Sequence, residues 1–245
     1  NLNSNTCLTL GQGFTDGTLA CKADCTFDSA NCIKVSKLST GGQGSCALAT
    51  NGNLYCWGYN LYGAIGNNTA TTLLPYETFP TKSLMTGTTK FARLGGYTCA
   101  IDGSKVLWCW GFNNVGQLGI GAADVTNRFV PTNTLMSTMT TAKEIALGSR
   151  ATTCAITDTG DVYCWGDNSF GAYGDATKTA QKVPIKSQMT GAQQISVGEF
   201  HACAVKQVGA TPPSLWCWGD NRYGQIGNGV TNPLGQLVPV QINVP

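Results

Sequence analysis

Residues Ser45–Gly66 read SCALATNGNLYCWGYNLYGAIG. Cys46 and Cys56 bracket Asn51-Gly52, and Trp57-Gly58 follows the second cysteine at once. Opposing the two cysteines on antiparallel strands sets Ala47 against Tyr55, Leu48 against Leu54 and Ala49 against Asn53. Thr50, Asn51 and Gly52 are then left as a three-residue loop. Such loops run a type I turn into a residue with positive φ, and Gly52 stands at that place. Facing residues in a non-hydrogen-bonded pair have Cα atoms about 4.5 Å apart, within the span of a disulfide. The spacing therefore predicts a cross-strand bridge.

The stretch recurs. TCAIDGSKVLWCWGFNNVGQLG runs over 98–119, TCAITDTGDVYCWGDNSFGAYG over 153–174 and ACAVKQVGATPPSLWCWGDNRYGQIG over 202–227. The pairs are Cys46 with Cys56, Cys99 with Cys109, Cys154 with Cys164, and Cys203 with Cys217, and the second cysteines recur at intervals of 53, 55 and 53 residues. In the third copy Asp158, Thr159 and Gly160 fill the loop with glycine last; the second copy has Ser104 at its centre and no glycine after it, so its turn type is open.

Each copy continues as Trp-Gly-x-Asn-x-x-Gly-x-x-Gly. Asn60, Asn113, Asn168 and Asn221 read as side-chain caps of a turn. Alternating segments precede the hairpins (KVSKLSTG, KFARLGG, KEIALG, QQISVG), and Pro-marked ones follow (VPTNTL, VPIKSQM, VPVQINV). Short strands bounded by Gly, Asn and Pro, without a helical period, indicate an all-β chain. A period near 50 residues indicates the blades of a β-propeller, here four repeats of about 53 residues. Blades bury their surface by stacking, which accounts for apolar residues on both sides of one strand, such as Tyr55 and Trp57 beside Cys56.

These segments resemble the regulator of chromosome condensation repeat family. Its pattern combines an alternating strand, a Gly-containing loop and a hairpin ending in Trp-Gly-x-Asn-x-x-Gly-Gln-Leu-Gly. GFNNVGQLG (111–119) and GDNRYGQIG (219–227) carry the likeness most closely, and it covers roughly residues 34–245. The resemblance implies a propeller usually closed by seven blades, whereas four copies stand here. It leaves function broad, because members include nuclear nucleotide-exchange factors, secreted inhibitors and bacterial surface proteins. It also implies a histidine at one rim position, which only His201 keeps. Two arrangements of the ends are open. Residues Val238–Val244 pair with the blade begun by Val35 and seal a ring, or the four blades leave an open arc with apolar end faces.

The twelve cysteines, all placeable in pairs, indicate an oxidising compartment. Zinc is the rival reading, but no Cys-x-x-Cys occurs and His201 is the single histidine. No metal and no cofactor are expected. Only 11% of residues are charged and the formal net charge is +2, which gives nucleic acid or an acidic membrane little to hold. No apolar run reaches the roughly 20 residues that a spanning helix needs. The start at Asn1, without Met, fits a mature exported chain or a trimmed one. Residues 1–33 break the period and form a disulfide-rich N-terminal module ahead of the propeller domain at 34–245. Its Cys7, Cys21, Cys25 and Cys32 allow three pairings, of which the sequential one is preferred, and the segment reads as a spacer or cap in preference to a docking knob. Asn67-Asn68-Thr69 is a glycosylation sequon.

No Ser-His-Asp set assembles around one histidine, and neither paired carboxylates nor a phosphate-binding fingerprint recurs, so the chain reads as no enzyme. The repeats differ most in the turn before each hairpin, which brings Gln43, Tyr97, Arg150, Phe200 and His201 to one rim as candidate binding residues. Two functions follow. One is an extracellular or cell-surface structural protein that assembles with copies of itself or with surface partners. The other is a secreted binding module, an inhibitor or adhesin, that recognises a protein or glycan through that rim.

Overall fold

The computed structural model describes residues 14–21, 27–69, 75–134 and 139–244, with side chains from residue 34 onward. Seventeen strands form among these residues, and no helix is long and apolar enough to cross a membrane. They make four sheets. Blade 1 holds β2 (Phe27–Gly41), β3 (Gly44–Ala49), β4 (Leu54–Tyr59) and β5 (Tyr76–Lys82). Blade 2 holds β6 (Thr88–Leu94), β7 (Tyr97–Asp102), β8 (Leu107–Gly111) and β9 (Arg128–Asn133). Blade 3 holds β10 (Glu144–Leu147), β11 (Thr152–Ile156), β12 (Val162–Gly166) and β13 (Gln181–Lys186). Blade 4 holds β14 (Ala192–Val197), β15 (His201–Lys206), β16 (Ser214–Asn221) and β17 (Asn232–Ile242). Within each blade the strands lie in sequence order and pair antiparallel.

The central hairpins take the register the sequence predicts. Cys46 faces Cys56, Ala47 faces Tyr55 and Leu48 faces Leu54. All four blade bridges are formed, each across a Cα–Cα distance of 4.1 Å. Gly52 and Gly160 take positive φ, 79° and 82°. In the second hairpin Lys105 does so at 64°. Asp102 makes this possible, since its carboxylate accepts the Ser104 and Val106 amides at 2.8 and 3.0 Å.

Each outer strand carries a proline: Pro80, Pro131, Pro184 and Pro239. A missing amide is tolerated there because one side of an edge strand has no ladder to complete. The outer strands also correct the ring-closing expectation. β17 pairs along β16 (Cys217↔Val240, Leu215↔Ile242), so Val238–Ile242 complete their own blade rather than the one begun by Val35. Strand β1 (Phe14–Cys21) instead pairs with the first half of β2, from Phe27 to Lys34, while β3 pairs with the second half. The boundary placed between residues 33 and 34 thus falls inside β2. Cys7 and Cys25 lie outside the described residues, as do the side chains of Cys21 and Cys32, and with them the pairing expected of that segment.

Blades stack face to face, and one rule governs every junction. The cysteine face of a blade meets the tryptophan face of the next. Cys46, Leu48, Leu54, Cys56, Ile65 and Met85 of blade 1 pack on Ala100 and Trp110 of blade 2. Blade 2 repeats this against Trp165, and blade 3 against Trp218. The three indoles are fully buried. Truncating one to alanine would cost about 3–5 kcal/mol. Each also donates backwards: Trp110 Nε1 to Ala64 O (3.0 Å), Trp165 Nε1 to Gln117 O (2.9 Å) and Trp218 Nε1 to Ala172 O (2.8 Å).

At the first junction a buried cation joins them. Arg93 is 2% exposed and donates to Ala64 O and Tyr59 O, both at 2.8 Å. Burial lowers its pKa to about 10, so it stays charged. Between inner strands, Lys37 reaches Thr89 O, Lys90 pairs with Glu144, and Lys143 reaches Gln193. These exposed or half-exposed contacts contribute little next to the indoles.

Candidate functional site

The Trp-Gly-x-Asn motif builds one rim of the molecule. The glycine after each tryptophan has φ between 91° and 103°. A Cβ there would lie 2.0–2.5 Å from the carbonyl oxygen of Gln43, Gly96, Ala151 or Phe200, so the chain passes directly over the turn before the hairpin. The asparagine two residues on is fully buried in all four blades. Its Oδ1 accepts the amide five residues ahead (Ile65, Leu118, Tyr173, Ile226) at 3.0–3.2 Å. Its amide group donates into the following loop, to Thr69 O in blade 1 and to Val230 O in blade 4. The turn caps expected from sequence are thus formed, and they hold the intervening x residues at the surface.

Those x residues and the pre-hairpin turns enclose a cleft of about 720 Å³. Tyr62 stacks on Phe112 with centroids 4.3 Å apart and meets Tyr59 edge-on at 5.9 Å. Phe170 packs on Phe200 at 4.5 Å. Arg150 lies over Phe200 and Arg222 over Phe170, at 5.4 and 4.1 Å from the ring centroids. Arg150 pairs with Glu199 and Arg222 with Asp220, both at 2.9 Å. Burial, with Tyr62 alongside, raises the pKa of Tyr59. The blade 1–2 side of the rim is therefore aromatic, and the blade 3–4 side adds compensated charges.

Gln43, Tyr97, Arg150 and Phe200 all line this cleft. They differ in exposure. Gln43 and Arg150 are exposed and Phe200 is half-buried. Tyr97 is 3% exposed and acts as a strut beneath the cleft; its hydroxyl donates to Thr152 O at 3.1 Å and lies 3.3 Å from Thr153 Oγ1. Burial raises its pKa well above the usual phenol range. His201 does not line the cleft. Its ring lies against Gly198, where a Cβ would come within 2.3 Å of Cε1, and burial lowers its pKa. Sequence reading took the asparagines of this motif as turn caps and passed over Tyr59, Tyr62, Phe112 and Phe170 at its x positions. The signal was there: aromatic residues stand at several x positions of these turns.

Among the described residues no group of three His, Cys, Asp or Glu side chains comes together in a way that could hold a metal ion. What the cleft offers is aromatic area on a rigid frame, with two guanidinium groups at its margin.

Fold and rim together define a disulfide-stapled β-propeller with an aromatic cleft at one rim. The regulator of chromosome condensation (RCC1) repeat matches over 35–64, 106–155, 142–172, 159–205 and 192–225, more than half of the chain. The chain belongs to the RCC1 repeat family. It is 28% identical to the human E3 ubiquitin-protein ligase HERC2 over 90% of its own length and 4% of that protein's. It is 28% identical to the ultraviolet-B receptor UVR8 of Arabidopsis thaliana, over 90% of this chain and 48% of the receptor. The yeast RCC1 (Prp20) structure bound to Kap60 superimposes with a TM-score of 0.72 at 20% identity, covering 86% of this chain and 49% of that one. The chain thus spans half or less of the length of these relatives.

Proposed function

We propose that this chain is a non-enzymatic protein-binding propeller of an oxidising, extracellular or cell-surface setting, which captures its partner in the aromatic cleft of the rim. The observation that carries this reading is the cleft itself: paired rings at 4.3 and 4.5 Å, held between buried asparagine caps. Large rigid side chains of this kind supply most of the affinity of protein interfaces. Support also comes from the solved yeast relative, whose structure was determined with Kap60 bound. The four bridges favour the oxidising setting, since a reducing cytosol would open thiol pairs of this type. Residues 1–33 serve as a cap or spacer that continues into blade 1 through β2. A glycan is the secondary ligand class for the same aromatic cleft.

The test is capture of partners from extracellular fluid or cell-surface extract on immobilised protein. A variant carrying Tyr62→Ala, Phe112→Ala, Arg150→Ala and Phe200→Ala should lose capture while its melting temperature stays within a few degrees of the parent. Equal capture by both proteins would remove the cleft from consideration.

A second reading is the structural one, assembly with other copies or with surface partners. The observation favouring it is the exposure of apolar side chains on the first and last described blades, Leu38 at 70% and Val244 at 72%.

A further inference from the structure

The cleft repeats one arrangement of rings at two blade junctions and furnishes only one of them with cations. Between blades 3 and 4, Phe170 packs on Phe200 and a guanidinium covers each ring, Arg222 over Phe170 at 4.1 Å and Arg150 over Phe200 at 5.4 Å. Between blades 1 and 2, Tyr62 stands where the repeat places Phe170, two residues past the capping asparagine, and stacks on Phe112. Among the described residues no cation lies over either ring. The repeat accounts for the difference. Asn114, next after the capping Asn113, holds the place that Arg222 holds after Asn221. Gly42, four residues before Cys46, holds the place of Arg150, four residues before Cys154. Gly42 and Asn114 both line the cleft, and neither brings a charge to the rings.

The electrostatics point the same way. Two charged side chains line the cleft, Arg150 and Asp167. Arg150 is compensated by Glu199 at 2.9 Å. Asp167 has no ion-pair partner among the described residues; its Oδ1 accepts from Ser169, through the backbone amide at 3.2 Å and through the hydroxyl. It follows Gly166, where a Cβ would lie 3.3 Å from Gln117 Cα, so it emerges beside the blade 2 turn that follows Phe112. At the other junction the chain itself sets a guanidinium between a ring and a carboxylate: Arg222 covers Phe170 while its Nη2 meets Asp220 at 2.9 Å.

We propose that the partner enters the cleft with an arginine side chain, its guanidinium laid against the Tyr62–Phe112 pair and hydrogen-bonded to Asp167. A planar, weakly hydrated guanidinium gains from an aromatic face and a carboxylate at once, which a compact ammonium does less well. This assignment rests on the protein-binding reading of the cleft.

NMR titration of the full, oxidised chain with the peptide acetyl-Gly-Arg-Gly-amide tests it, beside the same peptide with citrulline or lysine in place of arginine. The arginine Cδ protons should move upfield as the rings shield them. The citrulline peptide, similar in shape but neutral, should bind at least about tenfold more weakly. Asp167→Asn, which keeps an oxygen for the Ser169 bonds, should weaken the arginine peptide by a like factor. Asn114→Arg, at an exposed position, should block that peptide by giving the rings a guanidinium of the chain's own, as Arg222 does. An arginine peptide that binds no better than the citrulline or lysine peptide, or binding unchanged in either variant, overturns the arginine assignment. Capture from extracellular fluid separates that failure from a wider one. If the four-residue cleft variant still loses capture, the cleft remains a protein site with a different anchor; if it captures as the parent does, the cleft reading falls too.

Discussion

His201 is the single histidine of the chain, and burial lowers its pKa below the ordinary value of 6.5, with Asp220 nearby opposing the shift. The sign of its effect follows. Well above pH 6.5 the imidazole is neutral in both states and contributes nothing to pH dependence. As pH falls, the unfolded chain takes up the proton first, so stability declines from about pH 6.5 down to the folded pKa and then levels. Asp124, Asp158 and Asp220 have lowered pKa values, so their contributions are lost only at more acidic pH. Urea midpoints at pH 7.5 and 5.5 should therefore differ in the parent and coincide more closely in His201→Gln; an unchanged gap in the variant would exclude this role. At this scale the sequence was legible where one residue type answers one need. Cysteine pairs and Gly52 could be placed by counting. Lys105 could not, because its positive φ depends on the Asp102 carboxylate bonding around it. Nor could Arg93, whose acceptors Ala64 and Tyr59 belong to another blade.

Among elements, the decisive fact is that each bridge of blades 1–3 is covered by the following blade. The six cysteines of blades 1–3 are 0% exposed, whereas Cys203 stands partly open on the last face. Attack by a thiolate needs access. Limited reduction followed by alkylation and mass mapping should therefore label Cys203 and Cys217 first, with the other six appearing together on unfolding. Simultaneous labelling of all eight would show that the stacking gives no protection. The outer strands mark the limit of sequence reading here. VPVQINV resembles VPTNTL and VPIKSQM, and the repeat pattern alone does not say whether such a strand completes its own blade or a neighbour. The ladder from β16 to β17 decides it. The central hairpins were legible because their partners lie within one short loop.

For the whole molecule, stability is a sum of blades and junctions, as in other repeat proteins. Among the described residues, blades 2 and 3 have both faces covered by other blades, and blades 1 and 4 have one each. Amide hydrogen exchange should rank accordingly, with β7 and β11 slowest, followed by β3 and β15, and with the outer strands β5 and β17 fastest. Equal protection across all blades would mean that the end faces are covered in solution. Fold class and repeat number could be read from periodicity, because stacking repeats the same demand every 53–55 residues. The cleft could be read only in part. It arises where turns of several blades converge, and no linear pattern states that Tyr62 and Phe112 lie 4.3 Å apart.

The backward-facing indole also has a consequence for how the chain matures. Synthesis delivers the N-terminal end first, so Cys46 and Cys56 emerge well before Trp110 arrives to cover them. Each bridge thus has a window for oxidation that the next repeat shuts. A lagging oxidase would leave thiols locked beneath a finished junction, whereas Cys203, partly exposed among the described residues, would stay open to repair.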